Sequence, residues 1–519
     1  MFGVKKSEPR QKALYDDKDA TIQVSGTPSD QDSNSLAEDE LVEKPIPWTY
    51  KWIALACVIA FPIGQNWTNA SLGPLKNTLR EELNITNAQF GVIASADSFV
   101  NSIFPILGGM ILDWWGPNPV TICCTVIIFI GSVIAAAAIH VTAWRMLVAG
   151  HIVMGFGIAV LDQAQQKFIY HWFGAGGLAF AFGLENALSS TVGLVAGMVA
   201  IPIRDKTGWY GWTFWVPAFF CCASMVINIF YVIFERTWIP KSYRLTSARA
   251  KAVAKSHGLN VKKTWSWDSL FHLPWQYLML PGTQILQSGG ANGFGVSAAD
   301  MIRMKGYKEE TAGFMTTGQK VIRIVGAPII GWLIDRYGHR FHLVALAPLV
   351  YILANSTIGF TNAHPLVALV FQSIAGLING MPLNVSIPLL VADQDKLGTA
   401  FGVWRAFNNS GATIMEVVYG VVQDGTEKMG YGRVLIVSSC IKAVGFFIGL
   451  SYIFVDYKKL GRGITMTRKE RERREGDITD RDSDPLTKRR VFKPWTIYTL
   501  SALVAMIATS WTLFLKYLS

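Results

Sequence analysis

A few ionisable side chains lie in the middle of long apolar runs of this sequence. They are Asp97, Asp162, Glu185, Arg323 and Glu416. If these runs cross a membrane, each charge costs roughly 3 kcal/mol or more at the bilayer centre, so each one needs a partner or water. Carboxylates and a guanidinium placed in this way can bind a small charged solute or pair with one another. The chemistry that they indicate is recognition of charge.

Asp162 and Glu185 come from neighbouring runs of opposite direction, which places the two carboxylates at similar depth. Together they can hold a cation. Arg323, near the middle of a later run, can bind a substrate carboxylate or form an ion pair with either acid. We predict that Asp162 or Glu185 balances Arg323 in the empty protein, and that a substrate carboxylate takes over on binding. The alternative is a structural salt bridge that never meets a substrate.

Neutral polar side chains in the same runs are weaker indicators of a substrate site, because each can contact a substrate or pack one helix against another. A glycine pair at 289–290 interrupts one of these runs, and a bent backbone there can act as a gate where a cavity hydrates the freed groups. The candidates for substrate contact are Gln165, Gln166, Gln284, Gln287 and Asn292.

Other kinds of chemistry lack the residues that they require. There is no Gly-(x)4-Gly-Lys-Ser/Thr loop, so an ATP-driven pump is excluded. All 6 cysteines fall inside apolar runs, which indicates neither a disulfide framework nor a metal site. An enzyme would need a reactive constellation at matched depth, and only Asp162 with Glu185 comes close. We therefore expect no enzymatic activity, no cofactor and no bound metal.

The composition favours lipid as the solvent around these residues. Only 16% of the 519 residues are charged and 51% are apolar, against roughly 25% charged in a typical globular chain. Runs of about 20 residues, the length that crosses about 30 Å of hydrocarbon, recur along the chain. They predict an all-α membrane protein with spans near 50–73, 88–112, 119–140, 145–172, 177–203, 211–234, 272–298, 311–334, 341–361, 365–390, 397–421 and 432–455. A further apolar stretch near 494–516 has Trp and Tyr close to its ends, as an additional C-terminal span would.

The distribution of charge divides the chain and orients it. Residues 236–267 carry Lys and Arg but no Asp or Glu, which predicts that this segment faces the cytosol. The net charge of +11 is then a topology signal, and we expect no nucleic-acid partner. The predicted units are a disordered cytosolic tail at 1–47, six-helix bundles at 48–235 and 271–456, a basic cytosolic loop at 236–270, a charged cytosolic tether at 457–493 and a C-terminal transmembrane anchor at 494–517.

Two spans in equivalent positions of the two bundles end in the same short motif. Glycine lets two helices approach closely, and the aspartate can hydrogen-bond the neighbouring helix and accept from arginine. We interpret the two copies as a clasp that holds one conformation, because a helix that simply ends at a turn does not explain the repetition. The motif residues are Gly109, Asp113 and Gly116 in the first copy, and Gly331, Asp335, Arg336, Gly338 and Arg340 in the second.

The second copy matches the signature Gly-x-Leu-x-Asp-Arg-x-Gly-x-Arg of the major facilitator superfamily, which the chain resembles. This resemblance implies the major facilitator fold, with twelve transmembrane helices in two six-helix bundles. To these the sequence adds the C-terminal helix predicted above. It also implies a secondary transporter that works by alternating access on a small-molecule substrate. A scaffold or receptor that kept the fold without transporting is the alternative from another class.

Within the superfamily, the chain resembles the lysosomal dipeptide transporters. The likeness lies in stretches such as 150–173 and 397–402. It implies a dipeptide uniporter that exports from the lysosome or vacuole to the cytosol, with an accessory membrane glycoprotein; the plasma membrane is the alternative location. The cavity glutamate and arginine of those relatives correspond to Ala159 and Ser190 here. A carrier for another small solute, an organic anion or an amino acid with or without proton coupling, therefore stays open.

Overall fold

The computed structural model describes residues 47–518 with several gaps. The gaps are 86–88, 91–92, 94–95, 97–99, 241–242, 246–267, 285, 288–289, 392, 427–429, 468–469, 471–472 and 474–492. Three predictions therefore fall mainly outside the described residues: the disordered tail, the basic central loop and the charged tether. Asp97 also lies outside them.

The first half of the described chain contains a series of helices. Pro62 separates the first two of them, because proline has no N–H to donate and its ring blocks a continuous helix. The helices are α1 Trp48–Ala60, α2 Ile63–Leu72, α3 Lys76–Glu82, α4 Phe104–Trp115, α5 Pro117–His140, α6 Trp144–Phe173, α7 Leu178–Thr207 and α8 Trp212–Thr237.

The second half contains a matching series. The predicted span near 272–298 is formed by two helices, and the one near 311–334 is interrupted at Gln319. The helices are α9 Asp268–Phe271, α10 Trp275–Gly282, α11 Gly290–Met304, α12 Glu309–Gly318, α13 Lys320–Tyr337, α14 Arg340–Phe360, α15 Pro365–Val391, α16 Leu397–Asp424, α17 Gly432–Lys459 and α18 Lys493–Leu518.

Seven of the described helices are long and apolar enough to cross a membrane: α5, α6, α7, α8, α14, α15 and α17. Several of the other predicted spans are shorter, interrupted or more polar. Helix α16, for example, is 28 residues long but contains Arg405, Asn408 and Asn409 in its first half. Polar and broken helices at membrane depth are tolerated where they face protein or a water-filled cavity. The interruptions therefore fall in helices that can line such a cavity.

The helix contacts of the first half recur in the second. In the first half α4 packs on α6, and α5 packs on α6 and α8; in the second, α13 packs on α15, and α14 packs on α15 and α17. Two further pairs join the halves, since α7 contacts α13 and α4 contacts α16. Each motif-bearing helix of the sequence repeat, α4 or α13, thus contacts a helix of the opposite half.

The C-terminal stretch forms one helix, α18, which packs against α10 and α16. Its buried face is made of small and apolar residues, including Thr496, Leu503 and Ser510. Near its other end, the indole Nε1 of Trp511 donates a hydrogen bond to Ser102 Oγ at 2.9 Å. Helix α18 therefore contacts residues of both halves of the chain.

One polar contact inside the first half has a clear structural cause. Pro62 cannot donate to the carbonyl of Val58. That oxygen accepts from the backbone N–H of Phe61 at 3.3 Å and from Gln165 Nε2 of α6 at 3.2 Å. Gln165, predicted as a substrate contact, is buried in this contact. The structure thus favours the packing alternative for this residue.

We expect Gln165→Leu to lower the free energy of unfolding by about 1 kcal/mol, because it removes a donor from a buried carbonyl. Denaturant titration of the purified protein measures this loss. Gln166→Leu, at the half-buried neighbouring position, is the matched control and should leave stability unchanged. Equal losses in the two variants would contradict the assigned contact.

Candidate functional site

Asp113, in the last turn of α4, joins the two halves of the protein. Its carboxylate accepts hydrogen bonds from the backbone N–H groups of Gly398 at 2.8 Å and Thr399 at 2.7 Å, and from the Thr399 hydroxyl at 2.8 Å. Lys167 Nζ of α6 lies 2.6 Å from the same carboxylate, and both side chains are buried. The charge of Asp113 is thus balanced within its own half while it holds the start of α16.

Asp335, in the last turn of α13, makes the equivalent contact with α7. It accepts from the backbone N–H groups of Ala179 at 3.1 Å and Phe180 at 2.8 Å. In each case the aspartate binds the second and third residues of a helix in the opposite half, where N–H groups have no partner within the helix. We call these two sets of contacts the clasps, and the end of the bundle where they lie the clasp end.

The glycines of the motif permit these contacts. A Cβ atom at Gly109 would lie 2.2 Å from the carbonyl oxygen of Gly398, and one at Gly331 would lie 2.4 Å from that of Ala179. Any side chain at either position would push the two backbones apart. The motif aspartates reach their helix starts because the helices approach this closely.

The remaining motif residues end the two helices or support the clasp end. Gly116 and Gly338 have φ values of +89° and +69°, a conformation that glycine adopts at little cost. Arg340 donates to the carbonyl oxygen of Ile464 at 2.9 Å. The guanidinium of Arg336 lies over the rings of two neighbouring aromatic residues. The predicted role of arginine as donor to the aspartate is taken by Lys167 in the first copy.

Further from the clasp end, an ion pair crosses between the halves. Arg405 Nη2 of α16 lies 2.6 Å from Asp162 Oδ2 of α6. The prediction that Asp162 or Glu185 balances Arg323 differs from the structure, in which Asp162 pairs with Arg405 and no described carboxylate forms a salt bridge with Arg323. Arg405 lies eight residues inside the predicted span 397–421, or about 12 Å from its start, so counting depth along the span would have identified it as an intramembrane charge.

Glu185 of α7 lies near this ion pair and interacts electrostatically with both Asp162 and Arg405. Its carboxylate also accepts from the side-chain amide of Asn186 at 3.4 Å. The predicted proximity of Asp162 and Glu185 is thus seen, and Arg405 is a cation that pairs with Asp162 and interacts electrostatically with Glu185. Two acids and one base at the junction of the halves form a site that matches a zwitterion in charge.

Arg323 lies elsewhere, on an exposed part of α13. Its guanidinium interacts electrostatically with Lys320 and Tyr351. None of the described carboxylates forms a salt bridge with Arg323. Lys320 donates to the carbonyl oxygen of Gly193 in α7 at 3.1 Å. The second contact between the halves therefore extends from the clasp end well along α7 and α13.

The other candidate side chains divide into those with protein partners and those outside the description. Gln284 donates to Asn408 Oδ1 at 3.0 Å, and Gln287 donates to Thr283 at 3.3 Å and Tyr452 at 3.2 Å. Both contacts suit helix packing. Gln166 is half-buried on α6, one turn beyond Asp162. The side chains of Asn292 and Glu416 are outside the described part of the chain.

Two buried lysines were also missed by the sequence reasoning. Lys167 lies near the end of α6 and pairs with Asp113. Lys442 of α17 is 1% exposed, donates to the backbone carbonyl of Gln287 and lies 4.2 Å from the ring centroid of Tyr351. Both sit inside predicted spans, and their position there was the available signal. Among the described residues, no group of three or more His, Cys, Asp and Glu is placed to hold a metal.

Comparison with known proteins gives one family for the whole helical part of the chain. The model of the Major Facilitator Superfamily matches residues 56–286 and 282–518. The lysosomal dipeptide transporter MFSD1 of Danio rerio is 23% identical over 414 residues, which cover 77% of this chain and 86% of that protein. The same transporter of Homo sapiens is 21% identical over 427 residues, covering 79% and 88%. The D-galactonate transporter of Escherichia coli is 24% identical over 423 residues, covering 76% and 93%.

Solved structures show the same fold. The Major Facilitator Superfamily transporter FucP, in its outward conformation, matches with a TM-score of 0.56 at 17% identity, covering 78% of this chain and 99% of that chain. The proton:xylose symporter XylE matches with a TM-score of 0.59 at 13% identity, covering 80% and 96%.

We expect Gly402→Ala to open the clasp end, because a Cβ atom there would lie 2.3 Å from the carbonyl oxygen of Pro105 in α4. Leu397, at the start of α16, is 0% exposed. A cysteine at Leu397, in a background without the native cysteines, should react several-fold faster with a water-soluble maleimide in the Gly402→Ala variant.

The matched control is Gly380→Ala, since nothing lies within 4 Å of a Cβ atom at Gly380. It should leave the labelling rate unchanged. Slow labelling in the Gly402→Ala variant, equal to that of the control, would show that close approach of α4 and α16 is not required for closure.

Proposed function

The chain belongs to the Major Facilitator Superfamily, and we propose that this multi-pass membrane transporter carries a small zwitterionic solute, with dipeptides as the leading substrate class. The observation that supports the proposal most directly is the group formed by Asp162, Glu185 and Arg405. It offers a guanidinium for a carboxylate and two carboxylates for an amino group. The three residues come from α6, α7 and α16, and so from both halves.

In this proposal, Arg405 exchanges its ion-pair partner during the transport cycle. A guanidinium does not lose its proton, so it needs an anion in every state that the carrier visits. Asp162 supplies that anion in the structure described here. A substrate carboxylate can replace Asp162 through paired N–H···O bonds, and the freed Asp162, with Glu185, then receives the substrate's amino group. Binding therefore exchanges an ion pair between the halves for two ion pairs with the substrate.

The clasps control access to this site in the proposed mechanism. With both clasps formed, α4 and α13 each hold the start of a helix in the opposite half, which closes the clasp end. Alternating access requires these contacts to break while the opposite end closes. If the bundles 48–235 and 271–456 move as units, the substrate site lies between them. The basic segment 236–267 favours a cytosolic clasp end, which makes this state open toward the lumen or exterior.

The compartment and direction rest on the resemblance to the lysosomal dipeptide transporters. We propose export from the lysosome or vacuole to the cytosol, with an accessory membrane glycoprotein as in those relatives. Arg405 takes the role of the cavity arginine that Ser190 replaces, from a helix of the other half. Asp162, one turn after Ala159, takes that of the cavity glutamate.

An organic anion is the second substrate class, and Arg323 is the observation that favours it. Its guanidinium is exposed and forms no salt bridge with a described carboxylate, so it can attract an acidic solute without displacing a protein partner. An anion without an amino group would make no use of Glu185. The two substrate classes therefore differ in their dependence on that carboxylate.

We expect Arg405→Ala to reduce dipeptide flux in proteoliposomes at least tenfold, because the site loses its only described partner for the substrate carboxylate. Arg405→Lys should restore part of the flux, since a point charge lacks the bidentate fork. The matched control is Arg433→Ala, at an exposed arginine that donates to the carbonyl oxygen of Gly425. Wild-type flux in Arg405→Ala at equal protein amount would contradict the proposed site.

A paired substitution separates loss of binding from loss of folding. Arg405→Ala leaves Asp162 without its cation, whereas Asp162→Asn with Arg405→Gln removes both charges together. The double variant should elute as a monodisperse species on size exclusion and still fail to transport. If it transports normally, the ion pair is structural; if Arg323→Ala alone abolishes flux, the organic-anion site is the correct one.

We expect Glu185→Gln to raise the KM for a dipeptide about tenfold, which corresponds to about 1.4 kcal/mol of lost attraction for its ammonium group. The KM for the N-acetylated dipeptide, which has no ammonium group, should not change. Glu81→Gln, at an exposed acid outside the site, is the control. An equal effect on the KM of both substrates would show that Glu185 does not recognise the amino group.

A further inference from the structure

A cavity of about 600 Å³ lies at the clasp end, beside the contact between α7 and α13. It belongs to neither the ion-pair site nor the clasp hydrogen bonds, although Asp335 forms part of its wall. The residues around it come from both halves of the protein: Trp48, Trp52, Phe173, Gly177, Phe180, Trp332, Asp335, Arg336, Tyr337 and Thr467. Its volume falls within the range of about 300–1,000 Å³ that ligand pockets occupy.

Aromatic rings form most of the wall on the side of the first half. The rings of Trp48 and Trp52 stack with centroids 6.3 Å apart. Trp52 also meets Phe173 and Phe180 edge to face, with centroids 6.1 Å and 6.5 Å apart. Trp52 remains 45% exposed, so this aromatic wall is open at the outer surface of the helix bundle.

A guanidinium held by two further rings lies on the opposite wall. Arg336 lies over Trp332 and Tyr337, 5.2 Å and 5.5 Å from their ring centroids. The ring contacts hold Arg336 at the mouth of the cavity, and it forms no salt bridge with any described carboxylate. Trp332 and Tyr337 are 47% and 48% exposed. Tryptophan and tyrosine with this exposure are typical of the level of the lipid headgroups.

The cavity combines an aromatic interior with the guanidinium of Arg336. The Asp335 carboxylate in the same wall is already engaged by the N–H groups of Ala179 and Phe180. A cationic head would be repelled by Arg336, and a small polar anion would leave the aromatic interior unfilled. An amphiphile with an apolar chain and an anionic head satisfies both features, and the cytosolic leaflet is rich in such lipids. We propose that this cavity binds one anionic phospholipid, with an acyl chain among the rings and its phosphate at Arg336.

The position of the cavity couples this lipid to the conformation of the protein. One wall is built by α1, α6 and α7 and the other by α13, and the two walls meet where Asp335 holds the start of α7. A ligand that contacts both walls stabilises the state in which they are together. The bound lipid therefore favours the closed clasp end, and closure in turn tightens lipid binding.

Native mass spectrometry of the full chain in mild detergent tests the proposal without relying on transport. Phosphatidylglycerol and phosphatidylcholine with the same acyl chains are added in equal amounts. Wild-type protein should retain at least fivefold more phosphatidylglycerol in a one-to-one complex. Arg336→Gln should remove this preference, and Trp332→Leu should lower retention of both lipids.

The matched controls lie at the same end of the molecule but outside the cavity. Lys458 lies over the ring of Phe454, 4.8 Å from its centroid. The variant Lys458→Gln controls for the loss of an exposed cation. Trp238 is 70% exposed. The variant Trp238→Leu controls for the loss of an interfacial ring. Both should bind lipid as the wild type does. Unchanged lipid preference in Arg336→Gln, or displacement of the lipid by millimolar inorganic phosphate, would overturn the proposal.

Discussion

The unpaired N–H groups at the start of a helix are the constraint on which the closed arrangement depends. Helix α7 follows Gly177 and helix α16 follows Lys396, and neither preceding residue provides a side-chain cap. In lipid such groups must find partners within the protein. Here each start receives the carboxylate of an aspartate from the opposite half, so that closure of the bundle satisfies backbone groups which the sequence of each half leaves open.

This dependence explains why glycine and aspartate occur together in the repeat. The carboxylate reaches the second and third N–H groups of the facing helix only if the two backbones almost touch, which Gly109 and Gly331 permit. The same close approach brings α6 and α16 near enough for Asp162 to meet Arg405. The clasps and the ion pair are therefore linked through the helices that carry them. Breaking the clasps should also separate Asp162 from Arg405.

The sequence predicted the architecture well because lipid imposes a strong pattern. Long apolar runs, the repeated motif and the opposed acids were all visible without a structure. The partners of the charges were not, because a partner depends on the rotation of each helix about its axis. Asp162 and Gln165 are three residues apart, yet Asp162 meets α16 and Gln165 donates to the carbonyl of Val58 in α1. Arg323 lies near the middle of its predicted span but on an exposed face of α13, whereas Arg405, eight residues after the start of α16, faces Asp162.

The two clasps are related by the repeat but differ in their surroundings, and this difference bears on how the protein opens. Asp113 is buried and balanced by Lys167, so its hydrogen bonds act in a medium of low polarity, where they are strong. Asp335 is half-buried and lies in the wall of an aromatic cavity that reaches the outer surface of the bundle. Water can reach the second clasp more easily than the first when the cavity holds no lipid. Opening of the clasp end should therefore begin between α7 and α13, and the buried clasp of Asp113 should be the last contact to break.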